Sequence, residues 1–557
     1  MFKLSRPWLA LALGGAIAAP VVWPLHARAQ TPAPADAPRL PPAADPALQE
    51  QDRLRREQRL QQQRQLAPEQ QQDAAASADA ADAGPTFVLQ RVRFSSSRHL
   101  QREQLAQITQ PLLGKPVRWG DLQALVARVN QLYRDLGVFT AAATLPEQQI
   151  QDGTVIVQLV EGRLGQVKVQ QNEQLPEGYV RGWMQGLKPA GDVDARRLEA
   201  DLARFNRVND AKLQAALQAG QGFGETDLLL TVQEPARTGG QVFVDNHGYR
   251  GTGRVEAGAV LRRHGLFAAG DRALGYVLAA EGSQALSLSY SAPVGFGGWR
   301  AGASLAMNRT KMIAGDFASI DVRGKGDSVG LDASYLVHSA ERWWASVAGS
   351  VQRSTSGNDV RDVAVSRYEV TRVNLGVPVN VVGGTWHAVF NPVLVHARAH
   401  NKLLPAQSAN ATLLTGDASL VWRPGGGAWY GLGQLAWQYT NRRSLPGALA
   451  FTVGGAASAR GYEPGQLSGD KGLSASLELH HDGWRPADTR LDLFAFVDAA
   501  QLHSINASVQ RPLAAGLGVN WSGWKGLGVS VSAAQGLRDL LPEQRGWQAY
   551  ARVSWAF

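Results

Sequence analysis

From residue 241 to the C terminus, apolar and polar positions alternate in segments of about seven to ten residues, such as 254–263, 284–291, 300–307, 343–352, 430–439 and 527–533. Gly, Asp, Asn and Pro separate them. A period of two predicts strands with one apolar face. At about 20 residues per strand and connection, this stretch predicts about 16 antiparallel strands, within the range of membrane β-barrels. Twelve of the 16 tryptophans fall here, as the interfacial girdles of such a barrel require. A soluble β-sandwich of this size is the alternative.

Residues 87–234 have a different texture. A strand is expected over 87–94, a short helix over 102–109 and an amphipathic helix over 119–136. The longer helix carries Leu122, Leu125, Val126, Val129, Leu132, Tyr133 and Leu136 at helical spacing, and Gly137 stops it. Two strands follow, 141–145 and 154–161, across Gln151-Asp152-Gly153. The same order then repeats: strand 165–170, helix around 179–186, helix 194–208 and strands 212–219 and 226–234. Two small α+β domains are therefore expected, at 86–162 and 163–236, ahead of the barrel at 237–557.

Upstream, Asp45-Pro46 reads as an N-cap with proline at the first helical position, and residues to Ala67 are strong helix formers closed by Pro68. About 22 residues make a rod of roughly 33 Å. Leu48, Leu54, Leu60 and Leu66 recur every six residues, so they spiral and form no apolar stripe. Such a helix suits a coiled segment, a disordered arm or a rod in a water-lined space. The Gln/Ala/Asp-rich linker at 68–85 would tether it flexibly.

The beginning of the chain supplies an address. Lys3 and Arg6 precede an apolar run from Trp8 to Val22, and Ala27-Arg28-Ala29 offers small residues around a cleavage point. Residues 1–29 thus read as a secretory signal peptide, leaving 30–67 as leader and helix. Downstream there is no run of about 18 apolar residues, so no helical span is expected. With no cysteine, the chain can hold neither disulfides nor thiolate metal sites, which suits export. The net charge of +9 is dispersed, which argues against nucleic-acid binding.

Candidate chemistry centres on 451–480. Six glycines and Pro464 lie between Gly454 and Gly472, so this is a long ordered loop. A loop of that length inside a sheet protein points to function. The strand after it places Leu473, Ala475, Leu477 and Leu479 on one face and Ser474, Ser476, Glu478 and His480 on the other. Arg460-Gly461-Tyr462 and Leu467-Ser468-Gly469-Asp470-Lys471-Gly472 in this loop resemble the sixth loop of the two-partner secretion (TpsB) transporters. Ala459 stands where that family has a branched aliphatic residue, which predicts looser packing before the arginine. Asp492, Phe494, Phe496 and Asp498 resemble the family's F-x-D-x-G strand, with Ala500 in place of the final glycine, on the thirteenth strand by count. Tyr133, Gly137, Gly153 and Glu161-Gly162 resemble elements of polypeptide-transport-associated (POTRA) domains. The second copy departs at Asn209-Asp210, which lacks the proline often found nearby. The chain's terminal aromatic is similar to the signal by which outer-membrane barrels are recognised for assembly.

The resemblance implies an outer-membrane barrel in a Gram-negative cell, with POTRA-like domains in the periplasm receiving substrate at a sheet edge and the N-terminal helix plugging the lumen. It implies a secreted partner exoprotein of adhesin or haemolysin type, contact with outer-membrane lipid and insertion by the barrel-assembly machinery. It also implies an Arg460–Asp498 pair, desolvated by Tyr462 and Phe496. No cofactor, nucleotide or metal is expected, and no enzyme: H-E-x-x-H and G-x-x-x-x-G-K-[ST] are absent. His396 and His400 would lie about 13 Å apart on a strand, too far for one ion. His480-His481-Asp482 reads as a strand end and turn. A barrel-assembly or lipid-exporting relative and a plugged porin remain open as alternatives.

Overall fold

The computed structural model describes residues 86–557 except 139, 188–193, 223–224, 316–317, 443, 486–488, 505–507 and 541–545. The signal peptide, the N-terminal helix and the linker lie outside the described residues.

The first small domain contains β1 (Phe87–Val88), β2 (Arg91–Phe94), α1 (Arg102–Thr109), β3 (Pro116–Val117), α2 (Trp119–Asp135), β4 (Ala141–Thr144) and β5 (Thr154–Glu161). The strand expected over 87–94 is split. Val88 and Phe87 pair with β3, whereas β2 lies parallel to β5, because Gln90 and Arg91 both turn their N–H groups to Gly153 O. The sheet order is β2-β5-β4, and the apolar stripe of α2 covers it, with Leu122, Leu125, Val129 and Tyr133 buried. Burial pushes the Tyr133 hydroxyl up to about 12, so it remains a donor to Glu161 at 3.0 Å. Gly137 ends the helix at φ +78°, a conformation that favours glycine.

The second domain repeats the plan with β6 (Arg163–Gln170), α3 (Glu177–Trp183), α4 (Ala195–Val208), β7 (Lys212–Ala219) and β8 (Glu225–Gln233). Its sheet order is β6-β8-β7, and Trp183, Phe205, Leu228 and Leu230 form its centre. Asp194 caps α4 through Arg196 and Arg197 N–H.

Sixteen antiparallel strands from Thr238 to Ala556 then close into a barrel, with the last paired to the first. The eighth is interrupted at Val377-Pro378, because proline has no N–H for the ladder; both of its parts, Val363–Gly376 and Val379–Val382, pair with the seventh and ninth strands. The chain end is tied by reciprocal backbone bonds between Phe557 and Gly240.

The second domain docks on one end of this barrel. Phe296, in the turn between strands 4 and 5, packs on Trp183 and Tyr179 at ring separations of 5.8 and 5.9 Å. A Cβ on Gly182 would sit 2.4 Å from that ring, so only glycine admits it. Arg207 lies 3.4 Å over the Trp344 ring, and Asp210 meets His264 at 3.2 Å and Arg272 at 3.1 Å. With the small domains expected in the periplasm, this is the periplasmic end.

Burial would raise the Asp210 carboxyl, but the His264 hydrogen bond and the Arg272 and Arg300 charges outweigh it and hold it at about 2. A depressed carboxylate stabilises docking above its unfolded value of about 4 and loses that contribution as pH falls towards 2. Limited proteolysis between α4 and the barrel should therefore accelerate over that window in the native protein. In Asp210→Asn it should start faster and vary less with pH.

The tryptophans form one belt where sequence patterning suggests girdles. Exposed Trp299, Trp343, Trp422, Trp429, Trp484, Trp524 and Trp555 all flank periplasmic turns, and Trp547 lies at the outer end.

Candidate functional site

The eleventh and twelfth strands, Trp429–Tyr439 and Lys471–Trp484, are adjacent in the barrel, and the chain between them folds into the lumen. Its short strands Phe451–Val453 and Leu467–Gly469 form a hairpin. Gly454, at φ +115°, lets the tip fold tightly, since a Cβ there would meet Glu463 O at 2.3 Å. Gly461 presses on the fifteenth strand, Leu527–Gly536, where a Cβ would lie 2.4 Å from Gly536 N.

Between these glycines sits Arg460, 8% exposed. Its Nε donates to Asp498 Oδ2 and its Nη2 to Asp498 Oδ1, both at 2.7 Å. Its backbone N–H also reaches Asp498, at 3.0 Å. Nη1 donates to Glu478 Oε1 at 2.6 Å, and Nη2 also reaches Ser476 Oγ at 2.9 Å. The Phe496 ring lies 3.4 Å beneath the guanidinium. A planar, two-pronged cation suits this double engagement in a way lysine does not. Asp498 is 1% exposed, so the pair belongs to the desolvated class, where loss of one partner costs about 3 to 5 kcal/mol.

Strand alternation explains how the partners meet. On the thirteenth strand, Arg490–His503, Leu493 and Val497 face outward while Asp492, Phe494, Phe496 and Asp498 face the lumen. Ser476 stands opposite Asp498, and Glu478 opposite Phe496. The structure therefore brings Arg460, Phe496 and Asp498 together. Tyr462 goes elsewhere: its hydroxyl donates to Arg538 O at 2.9 Å and accepts from Leu513 N–H at 3.2 Å. Tyr550 caps Arg460 O at 2.9 Å in its place. Packing before the arginine is tight, with Ala459 buried among Val453, Tyr462 and Leu467. Ala459 has φ +48°, where a β-branched residue would be strained.

His480-His481-Asp482 lies within the twelfth strand, with a register shift beyond His481. His480 is buried and sits between two carboxylates, with Nε2 at 2.9 Å from Glu478 and Nδ1 at 3.0 Å from Asp492. It stacks on Tyr430 and Phe494. Below, Asp482 takes Arg423 at 3.0 Å and Arg490. Charge thus runs along one lumen wall from Arg460 to the periplasmic end. Glu478 and His480 stood on the polar face of the alternating strand, which was the signal for them; nothing local marked Tyr550.

Beside the hairpin lies a lumen cavity of about 660 Å³ whose lining includes Asp332, Arg372, Asn391, Asp417 and Gln434. Polar and apolar side chains both line it, and the loop forms one of its walls.

Known proteins show the same plan. Residues 87–162 match the ShlB-type POTRA domain. The outer membrane transporter CdiB of Dickeya dadantii is 26% identical over 77% of this chain and 79% of its own length. The heme/hemopexin transporter protein HuxB of Haemophilus influenzae is 26% identical over 44% of this chain and 43% of its own. In structure, CdiB from Escherichia coli superposes with a TM-score of 0.67 at 20% identity, covering 94% of this chain and all of that one. Residues 224–523, more than half of the chain, match the haemolysin secretion/activation protein family ShlB/FhaC/HecB. The chain is therefore a member of that family, the TpsB two-partner secretion transporters of the outer membrane.

Proposed function

We propose that this protein secretes a single partner exoprotein of adhesin or haemolysin type through its barrel, and that Arg460 holds the lumen loop in its transport-competent seat. The observation that carries this reading is the burial of one guanidinium against two carboxylates across two barrel strands, where two-pronged charge pairing gives a defined alternative to an open lumen.

The small domains take the substrate as an added strand. Two asparagines favour particular edges. Asn130 on α2 bonds both backbone groups of Ala143, at 3.3 and 2.6 Å, and Asn206 on α4 does the same for Leu213, at 3.0 and 2.6 Å. Each amide stands where a further strand would pair, closing the β4 and β7 edges. That leaves β2 and β6 for the substrate. Along β6 runs a groove of about 540 Å³ lined by Leu164, Val167, Val169, Met184 and Leu187. In this reading residues 1–29 direct export, the helix within 30–67 plugs the lumen until substrate arrives, and the assembly machinery inserts the barrel into lipid.

The test is reconstitution. Full-length protein in liposomes receives the unfolded N-terminal segment of a candidate partner exoprotein, and protease protection is measured. Protection with the native chain is expected, and Asn206→Ala, which opens the β7 edge, should leave it unchanged; increased protection would move the substrate from β6 to β7. Ion conductance without protection would favour a plugged porin.

A further inference from the structure

We propose that the outward face of strands 5 to 9, just above the lipid-facing apolar band, binds the phosphates of an outer-leaflet glycolipid. The proposal rests on the outer-membrane placement and is independent of what the protein secretes.

Orientation comes first. The second small domain touches the barrel around residues 264–272, at Phe296 and at Glu341 O, so strands 5 and 6 meet at the opposite, external end. On strand 5, Trp299–Lys311, the outward residues run from Leu305 and Met307 to Arg309 and Lys311. On strand 6, Val322–Ser339, they run from Arg323 and Lys325 to Val329 and Leu331, the last two 54% and 65% exposed. Hydrocarbon-facing side chains thus give way to cations directly on strand 5, and on strand 6 across Asp327, which faces outward opposite Met307.

Register makes this arrangement costly without a counter-ion. Arg309 stands directly opposite Lys325, and Lys311 opposite Arg323; like charges in such positions repel. Asp321 answers the second pair, at 3.7 Å from Lys311 and 2.7 Å from Arg323. Arg309 and Lys325 make no ion pair among the described residues, and Asp327, the nearest acid along strand 6, pairs with neither. The excess continues sideways: Glu369 is shared by Arg353 and Lys402, and Arg398 stands between Thr371 and Asn410. Exposed aromatic anchors gather at the periplasmic rim, so on these strands the outer boundary is marked by charge.

A phosphate monoester fits between two cationic side chains whose Cβ atoms stand about 5 Å apart on neighbouring strands, because it offers several acceptor oxygens to guanidinium and ammonium donors. The long Arg and Lys stems can lie along the apolar band with their heads raised to the headgroup level. Continuity with Leu305, Met307, Val329 and Leu331 selects a lipid over a free anion, since acyl chains would cover those residues while the headgroup meets the cations.

Native mass spectrometry of the full-length protein in neutral detergent tests this by counting bound glycolipid per chain. Diphosphorylated lipid A should be retained, and Arg309→Gln with Lys325→Gln should weaken retention about tenfold or more, the worth of a charge-assisted contact. Heat-modifiable migration should report an intact barrel in that variant; if it does not, the two single variants are read instead. Equal retention by the variants, or equal retention of dephosphorylated lipid A, would overturn the proposal. Displacement by inorganic phosphate at concentrations comparable to lipid A would show a free-anion site and overturn the lipid assignment.

Discussion

Arg460→Ala should leave the barrel inserted in the outer membrane and abolish secretion of the partner protein. The guanidinium holds Asp498 through two hydrogen bonds and Glu478 through one. Removing it leaves two inward carboxylates without their cation, at a cost of about 3 to 5 kcal/mol. Sixteen strands of backbone pairing are untouched, so the penalty falls on loop seating, and the population of seated loop should drop by at least about a hundredfold. Asp498→Asn should resemble it, because the amide keeps the shape and loses the charge. Exoprotein in the medium, compared at equal outer-membrane levels of transporter, is the measurement. Normal secretion by both variants would remove the loop from the mechanism.

Phe296→Ala is expected to be nearly as damaging by a different route. That ring sits against Trp183 and Tyr179 in edge and tilted contacts, and it reaches them over Gly182. Its loss should weaken docking of the second small domain by about 3 kcal/mol, combining cavity formation with lost aromatic pairing. Arg207 on Trp344 and the Asp210 ion pairs remain, so the domain should become mobile without detaching fully. Cysteines introduced across the interface should cross-link less efficiently, and secretion should fall while the Arg460 loop keeps its protection from protease. Unchanged cross-linking would mean that the polar contacts alone set the docking.

Much of this was legible because period and punctuation act locally. The helix at 102–109 and the strands at 154–161 and 212–219 have the limits that apolar spacing and turn residues give them. The count of sixteen strands followed from the length of the alternating region at about 20 residues per strand and connection. Legibility failed where a distant partner decides. Nothing near Phe87–Phe94 shows that Gly153 will split it, and nothing near Tyr462 shows that its hydroxyl belongs to Leu513 and Arg538. The even alternation around the barrel gave no hint that tryptophan would gather at one rim, since rim membership depends on which way each strand runs.

By itself, the sequence determined a signal-like start, two α+β repeats, a barrel-length run of alternating strands and the motif pair around Arg460 and Asp498, because each is written in neighbours along the chain. Only the tertiary structure decided that Glu478, Ser476 and Tyr550 complete the arginine's seat, that asparagines close two sheet edges, and that Arg309 faces Lys325. Those depend on register and closure, which join residues by hydrogen-bonded rows across the barrel and not by order along the backbone.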